Sequence, residues 1–423
     1  MKQIKIGILG LGMIFEETYL PCYLSLSNRP FWFPECGAVS VELAAVGSLT
    51  GKRWQHYVTS CPSLQSTPHF AGINAVNAML KQGLDVLCIA TPDDRHFEPA
   101  LQALDAGVHV LIEKPSVLKL HQLEQLCAIS EQNQCLAKVI YHKLFDPDHQ
   151  RLRTLVKDGK LRHINNGYCT LLEPKSISQS QFAAWIEGRN PATYVAIHYV
   201  KLIHFTFFQQ AEAQLAWIQA TGQRGLVGPP NGPTWDSVQL RVGYRYPDLR
   251  EAVFDIHTSW VHPDDAPGYV EQEVQFRFDN GVWNADQRRR GVETALEGAL
   301  PREWKSTPNH HYNADLLSPR GERMRRGYGI ETIRQAWEEF AYLKWGGTDN
   351  QREERFRSLC QQSYNDIRFD RPCVAMVQAL EAILHHHSQG QPLGTVFVNH
   401  PLGGLVLSIP GSNSFVVLHK DPI

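Results

Sequence analysis

At 423 residues the chain is too long for one ordinary hydrophobic core, so two domains are the first expectation. Its 43% hydrophobic and 20% charged residues are ordinary for a globular protein. With 41 Lys and Arg against 43 Asp and Glu, the net charge of −2 gives no electrostatic reason for nucleic acid or an anionic membrane as partner. The nine cysteines are scattered, with no CxxC pair, as expected of reduced thiols in a cytoplasmic protein. Met1 to Gly12 lacks the apolar segment and cleavage site of a signal peptide. No apolar run approaches the ~20 residues needed to cross a bilayer.

Along the chain, Ile4 to Leu9 reads as a fully buried strand, and Glu16 to Leu26 as a helix after it. Further apolar runs at Leu43 to Val46, Val86 to Ala90, Val108 to Ile112 and Ala137 to Tyr141 read as strands of the same kind. Helical periodicity separates them at Ile73 to Gln82, Phe97 to Ala106 and Leu120 to Gln132. Strands apolar on both faces, alternating with helices, imply a doubly wound parallel sheet over residues 1–141. Ser27 to Ser40 is a longer loop than such units usually need. After Tyr141 the pattern changes: His149 to Asp158 and Ala192 to Phe208 are helical. Alternating runs follow at Leu215 to Thr221, Val238 to Tyr246, Ala252 to Val261 and Val274 to Trp283, the last holding an Asp279-Asn280-Gly281 hairpin turn in which Asn and Gly can take positive φ. Period-two alternation predicts a mostly antiparallel sheet with one open face, and residues 331–345 and 372–387 read as helices. The expected architecture is an α/β Rossmann domain, 1–141, followed by an α+β domain, 142–423, for substrate binding and oligomerisation.

Gly10 and Gly12 sit where the first strand turns into a helix, and Met13 and Ile14 follow them. Glycines there allow a tight turn and close approach of backbone N–H groups to a pyrophosphate. The third fingerprint position is Phe15, where a small residue is usual. At the end of the second strand a dinucleotide domain places a carboxylate on the adenine ribose; here Ser48, Thr50, Lys52 and Arg53 occur instead. Hydroxyls and cations suit a 2′-phosphate, so NAD(P) is the expected cofactor, with a mild lean to NADP; a solvated helix start is the plain alternative. Lys114, in Glu113-Lys114-Pro115, follows one strand and Thr91-Pro92 with His96 follows another, both at the sheet edge where ligands bind. A lysine there can polarise a substrate oxygen. Tyr194, His198 and Lys201 fall in one stripe at 3.6 residues per turn, either a solvent face or a catalytic one.

GILGLG, ATPDDRHFEPAL, AGVHVLIEKP, YHKLFDP and IHYVKLI together resemble the Gfo/Idh/MocA (glucose–fructose oxidoreductase / inositol dehydrogenase) family. The resemblance implies an NAD(P)-dependent dehydrogenase acting on a sugar, sugar acid or polyol, assembled as a homodimer or homotetramer through the open sheet face. It implies that Lys114 is the catalytic lysine, His198 the acid/base histidine, and Gly10, Gly12, Thr91, Pro92 and His96 cofactor contacts, with Glu113 beside them. Many members carry Asp four residues before the histidine and three after it; Tyr194 and Lys201 stand there instead. Tyr194 is then a candidate acid and, with Lys201 and Trp185, a substrate contact.

Other features have plainer readings. Adjacent His385, His386 and His387 point in different directions on a helix, and no metal site is expected. Arg288, Arg289 and Arg290 read as a solvated charge run, while Arg189 and Asn190 join Trp185 as candidates for a substrate cleft. Trp304 to Gly329 is expected to be an irregular loop over the active site or a subunit interface. A non-catalytic dinucleotide sensor, or a redox-neutral enzyme using transient oxidation, remains an alternative at this point.

Overall fold

The computed structural model describes residues 1–27, 29–183, 185–209, 213–266, 270–298, 305–306, 308–412 and 415–421. The chain forms two units, one of Met1–Asp146 with His310–Arg371, the other of Pro147–Asn309 with Pro372–Ile423.

The first unit is built on β1 (Lys2–Leu9), β2 (Phe31–Phe33), β3 (Gly37–Ser48), β4 (His69–Ala71), β5 (Val86–Ile89), β6 (His109–Glu113) and β7 (Ala137–Ile140). Their order is β2-β3-β1-β5-β6-β7, with β4 also paired to β3. All neighbours are parallel except β2, which folds back on the start of β3. This is the doubly wound topology, whose ligands bind beyond the carboxyl ends of the strands. Central β1 is buried on both faces toward its carboxyl end, with Ile4, Ile6 and Ile8 at 0% exposure on one face and Gly7 and Leu9 buried on the other. The expected long loop at 27–40 therefore contains β2 and the first part of β3, which starts six residues earlier than its most apolar stretch suggests.

The expected assignment of all of 142–423 to a second domain differs from the observed packing. The helix Tyr328–Trp345 belongs to the first unit, because its apolar side needs that sheet as cover. Ile330, Ile333, Trp337 and Phe340 join the same core as Ile4, Ile6 and Ile8. The Trp337 indole N–H reaches Cys88 Sγ at 3.3 Å, and Phe340 stacks on His109. Lys138 is wholly buried, donates to the Leu359 carbonyl at 2.6 Å and lies 3.6 and 3.8 Å from Glu339 and Asp366. All three partners lie on the returning segment, so it is fixed to the sheet by more than apolar contact.

The second unit holds β8 (Ile164–Pro174), β9 (Gln214–Gln223), β10 (Ser237–Arg245), β11 (Glu251–His262), β12 (Glu271–Phe278) and β13 (Gly281–Asp286). The short strands β14 (Thr294–Ala295) and β15 (Lys305–Ser306) pair with each other; β16 (Ala314–Leu317) and β17 (Arg323–Arg326) form a hairpin in the first unit. Finally β18 (Thr395–His400), β19 (Gly403–Ser408) and β20 (Phe415–His419) extend the large sheet, ordered β13-β12-β8-β11-β10-β9-β18-β19-β20. Only β8 and β11 pair in parallel within it. One face is apolar: Leu240, Val242, Tyr244, Phe254, Ile256 and Phe276 are all at 0% exposure. The stretch 192–208 packs on it, with Phe208 stacked 4.0 Å from Tyr244 and Phe207 edge-on to Phe276. The opposite face is polar, with pairs such as Arg241–Asp255.

Two expected loops and turns resolve differently. The hairpin at Asp279-Asn280-Gly281 forms, yet neither Asn280 nor Gly281 takes a positive φ. Instead Asn280 braces the turn with its side chain, accepting from Arg162 N and donating to the Lys160 carbonyl. Within Trp304 to Gly329, Trp304 lies outside the described residues, and the remainder includes the β16–β17 hairpin, closed at Ser318 by a Gly321 N–H bond and two side-chain bonds.

Candidate active site

The turn after β1 is shaped for a glycine at position 10. Gly10 has φ +100°, its N–H bonds to the Gly47 carbonyl, and a Cβ there would sit 2.3 Å from the Ala90 carbonyl oxygen. Gly12 is different: its missing side chain leaves space whose near neighbour is the Arg53 guanidinium, at 3.5 Å. Arg53 is held there by a bond to the Leu11 carbonyl. An open backbone turn with a guanidinium over it fits a diphosphate. Met13 and Ile14 are half-buried just beyond. The Phe15 departure is accommodated by a π-helical stretch, Phe15–Tyr19, which carries the ring into the core against Tyr57 at 5.0 Å. A widened turn supplies the room that a small residue supplies elsewhere.

At the end of β3, Ser48 Oγ accepts from the Gly51 N–H at 3.0 Å and lies 2.9 Å from His69 Nε2. His69 comes from β4 and stacks on Trp54, and burial lowers its pKa. Exposed Lys52 and Arg53 begin the helix Lys52–Ser60 that follows. His69 was not singled out from sequence; only the pairing of β4 with β3 brings it to Ser48.

The loops after β5 and β6 are bolted together by His96. Its Nδ1 lies 2.7 Å from the Pro115 carbonyl and its Nε2 2.8 Å from the Thr91 carbonyl. His96 is 1% exposed, so it is a positioning group between the two loops rather than the cofactor contact expected. Thr91 and Pro92 remain half-buried at the strand end. The Lys114–Pro115 bond is cis. Across Val110 to Val117, Lys114 is the one residue not buried. Glu113 points inward: Tyr19 donates to it at 3.1 Å and His142 Nε2 stands 3.6 Å away. Burial would raise the Glu113 carboxyl, but His142, the Lys114 charge and the Tyr19 hydroxyl outweigh it and hold it below the ordinary range. Glu113 is thus an anionic support for the Lys114 segment.

In the second unit, 192–208 runs as a π-helical turn Ala192–Ala196, the helix Ile197–Ile203 and a further π-helical turn His204–Phe208. Asn190 caps its start, accepting from Thr193 N at 2.8 Å and donating to Glu381. That cap accounts for Asn190, 1% exposed, so it does not line a cleft. From Pro191 to Ile203 every residue is buried except Tyr194 and His198, one turn apart. Lys201, expected on the same stripe as a substrate contact, is 1% exposed and faces the interior. His198 and Lys201 share the α-helical segment, where three residues turn about 300°, so Lys201 stands about 60° round from His198 and falls on the buried side. Trp185 is half-buried beside Tyr194, with ring centroids 5.4 Å apart.

Residues 4–141 match the model of the family described as "Oxidoreductase family, NAD-binding Rossmann fold" of the GFO_IDH_MocA group. The N-terminal domain belongs to the Gfo/Idh/MocA family. It is an NAD-binding Rossmann domain, as the glycine turn and strand order require. Among curated relatives, the chain is 36% identical over 207 residues to the D-glucoside 3-dehydrogenase of Escherichia coli K12, an alignment covering 47% of this chain and 52% of the relative. It is 33% identical over 162 residues to the uncharacterised oxidoreductase YdgJ of the same organism, covering 38% and 41%. The chain thus spans about half or less of the length of these relatives. Over the whole fold it is similar to GenD2 from gentamicin A biosynthesis, solved with NAD, at a TM-score of 0.66 and 16% identity, covering 95% and 97% of the two chains.

Proposed function

We propose that the protein is an NAD(P)-dependent dehydrogenase that moves a hydride between the nicotinamide and a hydroxyl-bearing carbon of a carbohydrate. The observation that carries this is selective exposure. Lys114 is the open position in its buried segment, and Tyr194 and His198 are the open positions in theirs. Polar groups presented singly from buried backbone are preorganised, which favours reaction over general solvation. The D-glucoside 3-dehydrogenase relative supports a sugar hydroxyl as the reacting group.

In this reading Gly10 and Gly12 receive the diphosphate, with Arg53 beside them. Bound nicotinamide supplies the site that takes or returns the hydride. The Lys114 ammonium steadies charge on the reacting oxygen, and His198 exchanges its proton, the imidazole being suited to that near neutral pH. Tyr194 is a second hydroxyl ligand. We further propose NADP(H) as the preferred cofactor: Ser48 and Lys52, with Arg53 next to them in the chain, present hydroxyl and cationic groups where a carboxylate would repel a 2′-phosphate, and His69 lies 2.9 Å from the Ser48 hydroxyl. We also propose a homo-oligomer formed through the polar open face of the nine-stranded sheet, in a reducing cytoplasm suited to nine free thiols.

The test is to follow absorbance of the reduced cofactor with NAD+ and NADP+ against a panel of glycosides, free sugars and inositols. Turnover with at least one ring sugar is expected. Tight cofactor binding without turnover across the panel would favour a dinucleotide sensor instead.

A further inference from the structure

We infer that Phe182, Trp185, Tyr194 and Trp260 form a stacking wall for a pyranose ring, so that the substrate is a cyclic sugar or glycoside rather than an open-chain polyol. This rests on the dehydrogenase reading and narrows its substrate class. The four rings make one continuous cluster: Phe182 lies 4.7 Å from Trp185 and 5.0 Å from Tyr194, and Trp260 stands 6.2 and 6.5 Å from Phe182 and Tyr194. Phe182 and Trp260 form the back of the wall at 3% and 0% exposure, while Trp185 and Tyr194 remain half-buried in front. The back is locked, because the Trp260 indole N–H donates to the Glu173 carboxylate at 2.9 Å, itself 7% exposed.

Phe182 and Trp260 are buried while Trp185 and Tyr194 keep part of their surface exposed, so the cluster presents aromatic surface at its outer edge. A pyranose is the ligand that suits such a face. Its axial C–H bonds make one side apolar and weakly positive, the complement of a π surface that is negative over its face. An open-chain polyol has no fixed face of that kind. Tyr194 and His198 are four residues apart on one helical run and are the two half-buried positions between Pro191 and Ile203. A ring laid on the wall therefore brings a hydroxyl on its edge to the imidazole. Rigid aromatic side chains lose little freedom when they bind, which makes them effective anchors.

The test uses the full chain with NADP+ and methyl β-D-glucopyranoside, observed by saturation-transfer NMR. Strongest saturation on the axial protons of one ring face is expected. Trp185→Ala is expected to weaken glucoside binding at least about tenfold, while Trp185→Phe stays within about threefold of the wild type. NADPH binding, followed by its fluorescence, should change less than about twofold in both, which excludes misfolding. Equal saturation of both faces, no saturation at all, or a Trp185→Ala affinity within about twofold of wild type would overturn the wall. Turnover with an unchanged Trp185→Ala KM would remove the wall and leave the dehydrogenase; one-face saturation without turnover would do the reverse.

Discussion

His96 and Pro115 are joined by a 2.7 Å hydrogen bond that ties the loop after β5 to the loop carrying Lys114. The other ring nitrogen of His96 holds the Thr91 carbonyl, so one buried side chain sets the spacing of two loops at the cofactor edge of the sheet. His96→Ala is expected to lower kcat about tenfold or more and to cost about 1–3 kcal/mol of stability, as the hydrogen bonding that spans the two loops is lost. His96→Gln, which keeps a donor, should recover part of kcat. A His96→Ala enzyme with wild-type kinetics would show that the loops keep their places without it.

Lys114→Ala and His198→Ala separate binding from chemistry. Each is expected to lower kcat by about 10²–10⁴-fold, the usual worth of a positioned acid or base. Cofactor affinity, measured by fluorescence titration, should stay within about threefold of wild type for His198→Ala, since that residue is proposed to meet the substrate and not the dinucleotide. Near-normal turnover in either variant would remove that residue from the mechanism.

Ser48→Asp tests the cofactor preference. A carboxylate there would face the 2′-phosphate and should weaken NADPH binding on the order of 100-fold, with NADH affinity unchanged or improved. Equal binding of NADPH by wild type and variant would place the 2′-phosphate elsewhere.

Two histidines predict sensitivity to acid. Burial, with Arg352 assisting, pushes His109 down to about 4, and burial beside Lys201 does the same for His204. Both are neutral in the folded chain and protonate more readily when unfolded, so the unfolded state takes up protons first as pH falls. Stability is therefore full above about pH 6.5 and declines from there toward pH 4, by about 1–2 kcal/mol for each group between pH 7 and 5. Denaturant midpoints measured across that range check this, and a flat profile would contradict it. His204→Phe should reduce the decline.

Much of the first unit was legible because strands buried on both faces leave unbroken apolar runs, as at Ile4 to Leu9 and Val86 to Ile89. Strands of three residues, β2 and β4, leave no such run. β8 was missed because Asn165 and Asn166, just after its first residue Ile164, are exposed and polar and break the apolar run. The return of 310–371 to the first unit depends on long-range packing of Trp337 and Lys138, for which local periodicity carries no signal. Of the candidate site, Gly10, Lys114 and His198 were singled out by spacing and resemblance. His69, Phe182 and Trp260 were not, since each meets its partners only through pairing or packing in space. Lys201 was misplaced for a local reason: three residues beyond His198 on an α-helix is about 60° off its line, enough to pass from the open edge to the buried side.

The central claim is that a carbon-bound hydrogen of a ring sugar passes to the cofactor. Incubating the protein with NADP+ and a glycoside deuterated at its ring carbons, then weighing the recovered cofactor, measures this directly. Reduced cofactor carrying one deuterium, formed more slowly than from the unlabelled glycoside, is the expected result. Reduced cofactor with no deuterium, or none formed from any ring sugar, would contradict the account.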